Sequence, residues 1–363
     1  MNSVTSHLFT PLTLRALTFP NRVFVSPMCQ YSCEGGLATR WHLVHLGSRA
    51  TGRAGLVMTE ATAVSAEGRI SPADLGIWSD AHAAPLRDVS AFIRSQGSIA
   101  GIQLAHAGRK ASTEAPWAGQ GTVALERGGW TPVAPSAEPF SPNYPVPRAM
   151  TDEDIDKVVG DFRTAAERAL EAGFQVAELH MAHGYLLHEF LSPLSNHRAD
   201  AYGGSFENRA RLPLRVARAV REAWRADWPV FVRISATDWV DGGWNPDESV
   251  RLAKALKELG IDLVDCSSGG VVPNATIPLA PGYQVPFAER VRREARIATV
   301  AVGLITEPAQ AEAIIASGQA DAVMLARAML RDPYWALHAA GALGVDVHWP
   351  VPYLRAAPAP ARS

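Results

Sequence analysis

The sequence predicts an α/β protein of the (β/α)8 barrel (TIM barrel) class, and three observations carry that reading. Eight short apolar runs of strand length are spread along the whole chain. Most gaps between them hold a segment of helical period, as parallel strands joined by crossover helices require. No Gly-x-Gly-x-x-Gly follows the first run, which counts against a doubly wound dinucleotide-binding sheet. The 363 residues, 47% hydrophobic and 19% charged, suit one large barrel, so a single domain over 1–363 is expected.

The elements follow in order. Phe9–Phe19 precedes the first strand and reads as a hairpin that closes the barrel bottom. The predicted strands are Val23–Ser26, Leu56–Thr59, Ile99–Leu104, Val176–Leu179, Val230–Ile234, Leu263–Cys266, Thr299–Val302 and Ala322–Leu325. After the third strand, Ala115–Arg148 is rich in Pro and Gly and carries Trp117, Trp130, Phe140 and Tyr144. It reads as a long loop, a candidate lid. Thr151–Ala172 is the clearest helix: Thr151 caps it, Asp154 completes a capping box, and Ile155, Val158, Val159, Phe162, Ala166, Ala169 and Leu170 give an apolar stripe. Gly173 ends it. Asn245-Pro246-Asp247-Glu248 opens another helix with a cap and a first-turn proline, and Thr306-Glu307-Pro308 is expected to open a third in the same way. The Ala/Pro-rich tail 356–363 is expected to be disordered.

Composition removes several function classes. A net charge of −2 gives no electrostatic case for nucleic acid or an anionic membrane. No apolar run approaches the roughly 18 residues that span a bilayer. The opening Met1–His7 lacks a basic region followed by an apolar one, and 3 cysteines are too few for a disulfide framework, so a cytoplasmic protein is expected.

In a barrel the active site lies at the carboxyl ends of the strands, and those ends are polar here. Strand four runs into His180-Met181-Ala182-His183-Gly184-Tyr185, two imidazoles and a phenol within six residues. Imidazoles can hold an anionic or carbonyl oxygen and a phenol can deliver a proton. Strand one ends in Ser26-Pro27-Met28-Cys29-Gln30-Tyr31 and strand two in Glu60-Ala61. Gln103 and Arg233 could read the imide edge of a heterocycle. Gly303 and Arg327 suit the phosphate site that barrels build after strands seven and eight. A phosphate-bearing heterocycle, such as a flavin mononucleotide, would satisfy both ends. Each residue also has a plainer role: Gln103 as a satisfied core amide, Arg233 as an ion pair, Cys29 as a buried hydrophobe, Gly303 as a turn glycine, the histidines as structural residues. His-x-x-His could ligate a metal, but Gly184 follows at once and no third ligand is evident, so no metal site is expected.

These residues carry a resemblance. The run from His180 to Tyr185 joins Leu191-Ser192-Pro193-Leu194-Ser195-Asn196-His197-Arg198-Ala199-Asp200-Ala201-Tyr202-Gly203-Gly204-Ser205-Phe206-Glu207-Asn208-Arg209. With Ser26–Tyr31, Gln103–Lys110, Ala301-Val302-Gly303 and Arg327, the chain resembles the old yellow enzymes, FMN-dependent ene-reductases, from about Phe9 to Arg355. Within them it resembles the bacterial thermophilic-like subgroup that includes the xenobiotic reductases.

The resemblance implies roles. Ser26, Pro27, Met28, Cys29 and Ala61 would line the flavin, with Cys29 tuning it. Gln103 would bond the pyrimidine edge, and Arg233 would sit by N1 and O2. Gly303, Ala326 and Arg327 would hold the phosphate, although Ala326 stands where glycine is common. NADPH or NADH would reduce the flavin. An activated alkene, or a phenolic ligand, would then bind to His180 and His183, with Tyr31 on its other side and Tyr185 as proton donor. Trp349–Arg355 resembles an arm that crosses to a neighbouring subunit, which implies a homodimer or tetramer with Arg355 in the partner's site. Two other readings are a barrel metal-dependent hydrolase using the histidine pair and a non-catalytic FMN-binding protein.

Overall fold

In the computed structural model, which describes residues 6–119 and 121–358, all eight predicted strands form. They are β1 Val23–Val25, β2 Leu56–Ala63, β3 Ile99–Ala105, β4 Val176–Met181, β5 Val230–Ser235, β6 Leu263–Ser267, β7 Ala298–Ala301 and β8 Ala322–Leu325. Each pairs in parallel with its neighbours in chain order, and β8 closes on β1. This is the (β/α)8 barrel. Ten helices accompany the strands among the described residues. They are α1 Arg40–Thr51, α2 Asp80–Ser95, α3 Asp152–Glu171, α4 Leu186–Leu191, α5 Phe206–Ala223, α6 Pro246–Glu258, α7 Val285–Ala295, α8 Pro308–Ala316, α9 Arg327–Arg331 and α10 Trp335–Ala342. None is long and apolar enough to cross a membrane.

Period-2 alternation splits the core in two. Val232, Ile234, Leu179 and Val264 point outward and pack with helix residues such as Phe162 and Val216. Phe24, Leu56, Val176, Phe231, Leu263 and Met324 fill the barrel interior. The N-terminal hairpin, Leu12–Leu14 paired with Leu17–Phe19, plugs that interior from below. Leu12, Leu17 and Phe19 join the inner cluster, and the Phe19 and Phe24 rings lie 5.0 Å apart. The apolar floor thereby confines polar inward-facing residues to the upper end of the barrel.

Three local expectations change. Strand β2 runs four residues beyond Thr59, because a bulge between Met58 and Ala61 keeps it paired with β3. Thr306 does not cap α8: the flanking residue is Glu307, without a side-chain cap, and Gln310 Oε1 instead accepts the Thr306 amide at 3.1 Å. Ala356 closes the 3-10 turn Val351–Ala356, and Ala357 and Pro358 follow it, so the expected disorder does not begin at 356. The rest of that expectation, 359–363, lies outside the described residues. The caps at Thr151 and Asn245 form as read.

Candidate active site

The polar layer begins where the strands run out of apolar inward positions. Gln103 on β3, Glu178 on β4, Arg233 on β5 and Asp265 on β6 are all buried. The Gln103 amide donates to Glu178 Oε1 at 2.8 Å, and Arg233 Nε lies 3.8 Å from the same oxygen. Arg233 also pairs with Asp265, and donates to Ser26 Oγ at 2.9 Å on β1's exit. Burial pushes Glu178 up to about 8, with Asp265 adding to the rise against the pull of Arg233. Burial also opposes the Arg233 charge, but Asp265 and Glu178 outweigh it and hold the guanidinium charged. The plainer ion-pair role read for Arg233 is therefore real, and Ser26 shows the same guanidinium facing the mouth as well.

The β2 bulge sets the next position. It places Ala61 directly across from Gln103, and Thr59 Oγ1 accepts the Gln103 backbone N–H at 3.2 Å. Cys29 is half-buried beside Ala61 and the Tyr31 hydroxyl, and burial, Asp74 and Glu60 push its thiol well up. Tyr31 meets Trp117 of the long loop edge to face at 5.5 Å, and Phe140 of that loop lies 4.1 Å from Lys110 Nζ.

At the end of β4 the two histidines and Tyr185 converge. His180 and His183 cross at 83° with centroids 5.1 Å apart, and Tyr185 stands edge-on to His180 at 4.9 Å. The Ala182 amide donates to His180 Nδ1 at 3.2 Å, so the proton of that neutral ring belongs on Nε2. His180 Nε2 then faces His183 Nδ1 at 3.3 Å, which leaves His183 Nε2–H to donate to Ser267 Oγ at 2.6 Å. Burial holds both rings well below the usual histidine range and Tyr185 well above the usual phenol range. Both imidazoles are thus neutral donors, and the phenol keeps its proton.

The backbone here is bent and braced. His183 has φ +60° and Gly184 +71°. A Cβ on Gly184 would sit 2.1 Å from Gly270 O, so glycine is required by contact as well as by angle. Ser235 Oγ accepts the His183 amide at 2.9 Å, Lys110 Nζ donates to His183 O at 2.8 Å, and His188 Nδ1 accepts the Gly184 amide at 2.9 Å.

A cavity of about 360 Å³ leads from this mouth across the barrel top. Ser26, Pro27, Arg233 and His183 line one part of it, and Gly303, Ala326 and Arg327 line another. Gly303 has φ +115°, and a Cβ there would meet Gln284 Nε2 at 2.7 Å. Ala326 stands where glycine is common with φ −101° and ψ −93°, a negative φ but outside the main allowed regions of the map. The structure thus gathers the predicted residues at one face, with one exception. Arg355 is exposed in the 3-10 turn, whose Tyr353 ring rests on Tyr334 at 6.2 Å, and it lines none of this cavity.

With this geometry in hand, comparisons place the chain. Residues 7–344 match the model of the NADH:flavin oxidoreductase / NADH oxidase family. The chain belongs to this family. It is 51% identical over 350 residues to an NADPH dehydrogenase of Geobacillus sp. (strain WCH70), covering 96% of this chain and 98% of that protein. It is 47% identical over 350 residues to the NADPH dehydrogenase of Bacillus subtilis (strain 168), with 96% and 98% covered. Among solved structures, morphinone reductase superposes with a TM-score of 0.79 at 29% identity, over 97% of this chain and 93% of that one. An old yellow enzyme homologue from Zymomonas mobilis gives 0.76 at 27%, over 94% of each. The protein is an old yellow enzyme, an FMN-dependent oxidoreductase drawing electrons from NAD(P)H. The metallohydrolase and non-catalytic readings fall with that membership.

The residues present fit FMN. Arg327, with no salt bridge among the described residues, offers a forked cation for one phosphate beside the open Gly303 backbone. Arg233 and the Gln103 amide offer donors to a heterocycle's carbonyl edge. Several supporting residues of this old yellow enzyme escape a motif reading. Glu178 stands two before His180, Ser235 two after Arg233, and Asp265 and Ser267 alternate on β6. Polar residues repeating at i and i+2 in otherwise apolar strands were the available signal. Asp74 carried no such signal, and Lys110 stood in the run Gln103–Lys110 with no role read for it, since both roles arise from contacts between distant segments.

Proposed function

We propose that this old yellow enzyme is an ene-reductase acting on α,β-unsaturated carbonyl or nitro compounds. The observation that carries the reading is the convergence of two neutral imidazole donors and a protonated phenol at the end of β4. When bound, FMN would supply the redox chemistry, hydride transfer from NAD(P)H to the substrate's double bond. Ser26, Pro27, Met28, Cys29, Ala61, Gln103 and Arg233 would hold its ring, and Gly303, Ala326 and Arg327 its phosphate.

The substrate oxygen takes the place of the present acceptors, His183 Nδ1 and Ser267 Oγ, on the two Nε2–H groups. Those donors polarise the double bond and stabilise the developing enolate oxygen. Tyr185 gives its proton to the α-carbon, and its high pKa makes it an acid that releases the proton only to a carbanion-like centre. Tyr31 closes the other side. Arg355 completes the pocket of a neighbouring subunit in a dimer or a tetramer of dimers.

Anaerobic half-reactions test this reading. Tyr185→Phe should slow flavin reoxidation by cyclohexenone by about 100-fold or more, with flavin reduction by NADPH little changed. His180→Ala and His183→Ala should each weaken binding of p-hydroxybenzaldehyde by about 1.5–3 kcal/mol. Equal losses in both half-reactions, or unaltered phenol affinity, would refute these roles.

A further inference from the structure

We propose that Asp74 is the proton reservoir behind Tyr185, returning a proton to it through one water held in a void that the two residues share. The inference rests on the reading of Tyr185 as the proton donor and extends it to how that donor is reloaded.

The void is about 10 Å³, room for one water. Asp74 and Tyr185 line it with Ala61, Ala63, Gly68 and Ala107, so polar side chains come from these two residues alone. Asp74 is 2% exposed. Its Oδ2 accepts the Ile70 amide at 2.6 Å, while its Oδ1 has no partner among the described residues. A buried acid oxygen without a partner calls for an explanation, and a water in this void provides one.

The groups around Asp74 favour the neutral acid. Burial pushes its carboxyl up to about 8, and Glu60 on β2 adds to the rise. The Ile70 and Ser71 amides and the Arg69 guanidinium pull the other way. Cys29, Tyr31, Cys33 and Tyr185 all feel its charge, and each is itself raised, so none competes as a stronger acid at neutral pH. With Oδ2 occupied as an acceptor, the proton resides on Oδ1, the atom without a partner.

The step balances as a proton transfer without electron movement. Tyr185 forms the substrate's new C–H bond by breaking its O–H bond and is left as a phenolate. The water gives a proton to the phenolate oxygen and takes one from Asp74 Oδ1. Asp74 becomes a carboxylate and regains its proton from solvent before the next cycle. Burial disfavours a lasting phenolate at Tyr185, so a nearby acid is needed.

Holoenzyme carrying Asp74→Asn tests this, since Asn still accepts the Ile70 amide. The first pass of alkene reduction should stay within about threefold of wild type, because Tyr185 starts loaded. Steady-state turnover with cyclohexenone should fall by about 100-fold, the lower end of general acid effects. Wild-type turnover should fall above about pH 8, where Asp74 loses its proton, and that fall should be absent from this variant. Glu60→Gln, which keeps Asp74 but removes its like charge, should move that loss to lower pH. Equal slowing of the first and later passes would show a packing defect and overturn the proposal. Wild-type turnover and pH profile in Asp74→Asn would overturn it too. Undiminished first-pass reduction in Tyr185→Phe would instead remove Tyr185 as donor, a separate failure.

Discussion

His183 shows how much a single residue is asked to do. Its backbone occupies the left-handed region at φ +60°, where a histidine is strained, and two side chains, Ser235 and Lys110, hold it there. Its ring is an acceptor for His180 on one nitrogen and a donor to Ser267 on the other. On the proposed ene-reductase reading, a substrate oxygen displaces Ser267 to use that donor. Ser267→Ala removes the competitor, so phenol affinity should rise by about 0.5–1.5 kcal/mol, the net value of one hydrogen bond. Titration of the flavin spectrum with p-hydroxybenzaldehyde reads this directly. Weaker binding would mean that Ser267 orients the ring more than it competes for it.

At the scale of elements, the β2 bulge is the decisive irregularity. A regular strand would keep Met58 and Glu60 on the inner face and turn Ala61 outward. The bulge instead sets Ala61 opposite Gln103, a small wall beside an amide donor. Thr59 stabilises the distortion, its hydroxyl accepting the Gln103 N–H and lying 3.1 Å from Thr62 Oγ1. Thr59→Val keeps the shape but leaves that buried N–H unpaired. The variant should lose about 1–3 kcal/mol of stability and retain FMN less tightly. Urea unfolding and flavin release by ultrafiltration measure both. Undiminished stability together with tight FMN would show that the bulge stands without the hydroxyl.

At the scale of the molecule, burial of ionisable groups sets a pH response. Asp74, Glu178 and Glu189 are each pushed up to about 8, burial being the main cause. Unfolded carboxyls titrate near 4, so between these values the folded protein holds protons that the unfolded chain has released. Stability therefore falls as pH rises across that window. Lys110, pushed down to about 7 by burial, acts oppositely above pH 7, where the unfolded chain keeps a proton the folded one has lost. His45, held near about 3, and His106, near about 4, oppose the carboxyls only below pH 6.5. The balance is a decline on the order of 4 kcal/mol from pH 6.5 to 8, seen as a falling urea midpoint. A rising midpoint would contradict the sign. Assembly is the second property of the whole molecule. Val351 and Leu354 of the C-terminal turn are 78% and 55% exposed, more than an arm resting on its own subunit needs. If the proposed arm crosses to a neighbouring subunit, Arg355→Ala should preserve FMN content and raise KM for cyclohexenone, and truncation before Trp349 should also shift the sedimentation of the proposed dimer toward monomer. A fully active monomer would rule out the crossing arm.

The sequence by itself determined the barrel and most of its mouth. Eight apolar runs separated by helical segments leave few alternatives to a closed parallel sheet, because each strand must bury both faces. The run from His180 to Tyr185 was legible because strand-end residues project into the site whatever the loops do. Only the tertiary structure decided which polar groups act together. Glu178, Arg233 and Asp265 lie on three strands separated by 55 and 32 positions in the chain, and become one network when the barrel closes. Asp74 reaches Tyr185 across 111 positions, through a void that exists only between packed segments. Periodicity reports how a residue faces its own element. It carries no information on what faces that residue from elsewhere, and in a barrel that opposing partner sets charge, tautomer and proton path.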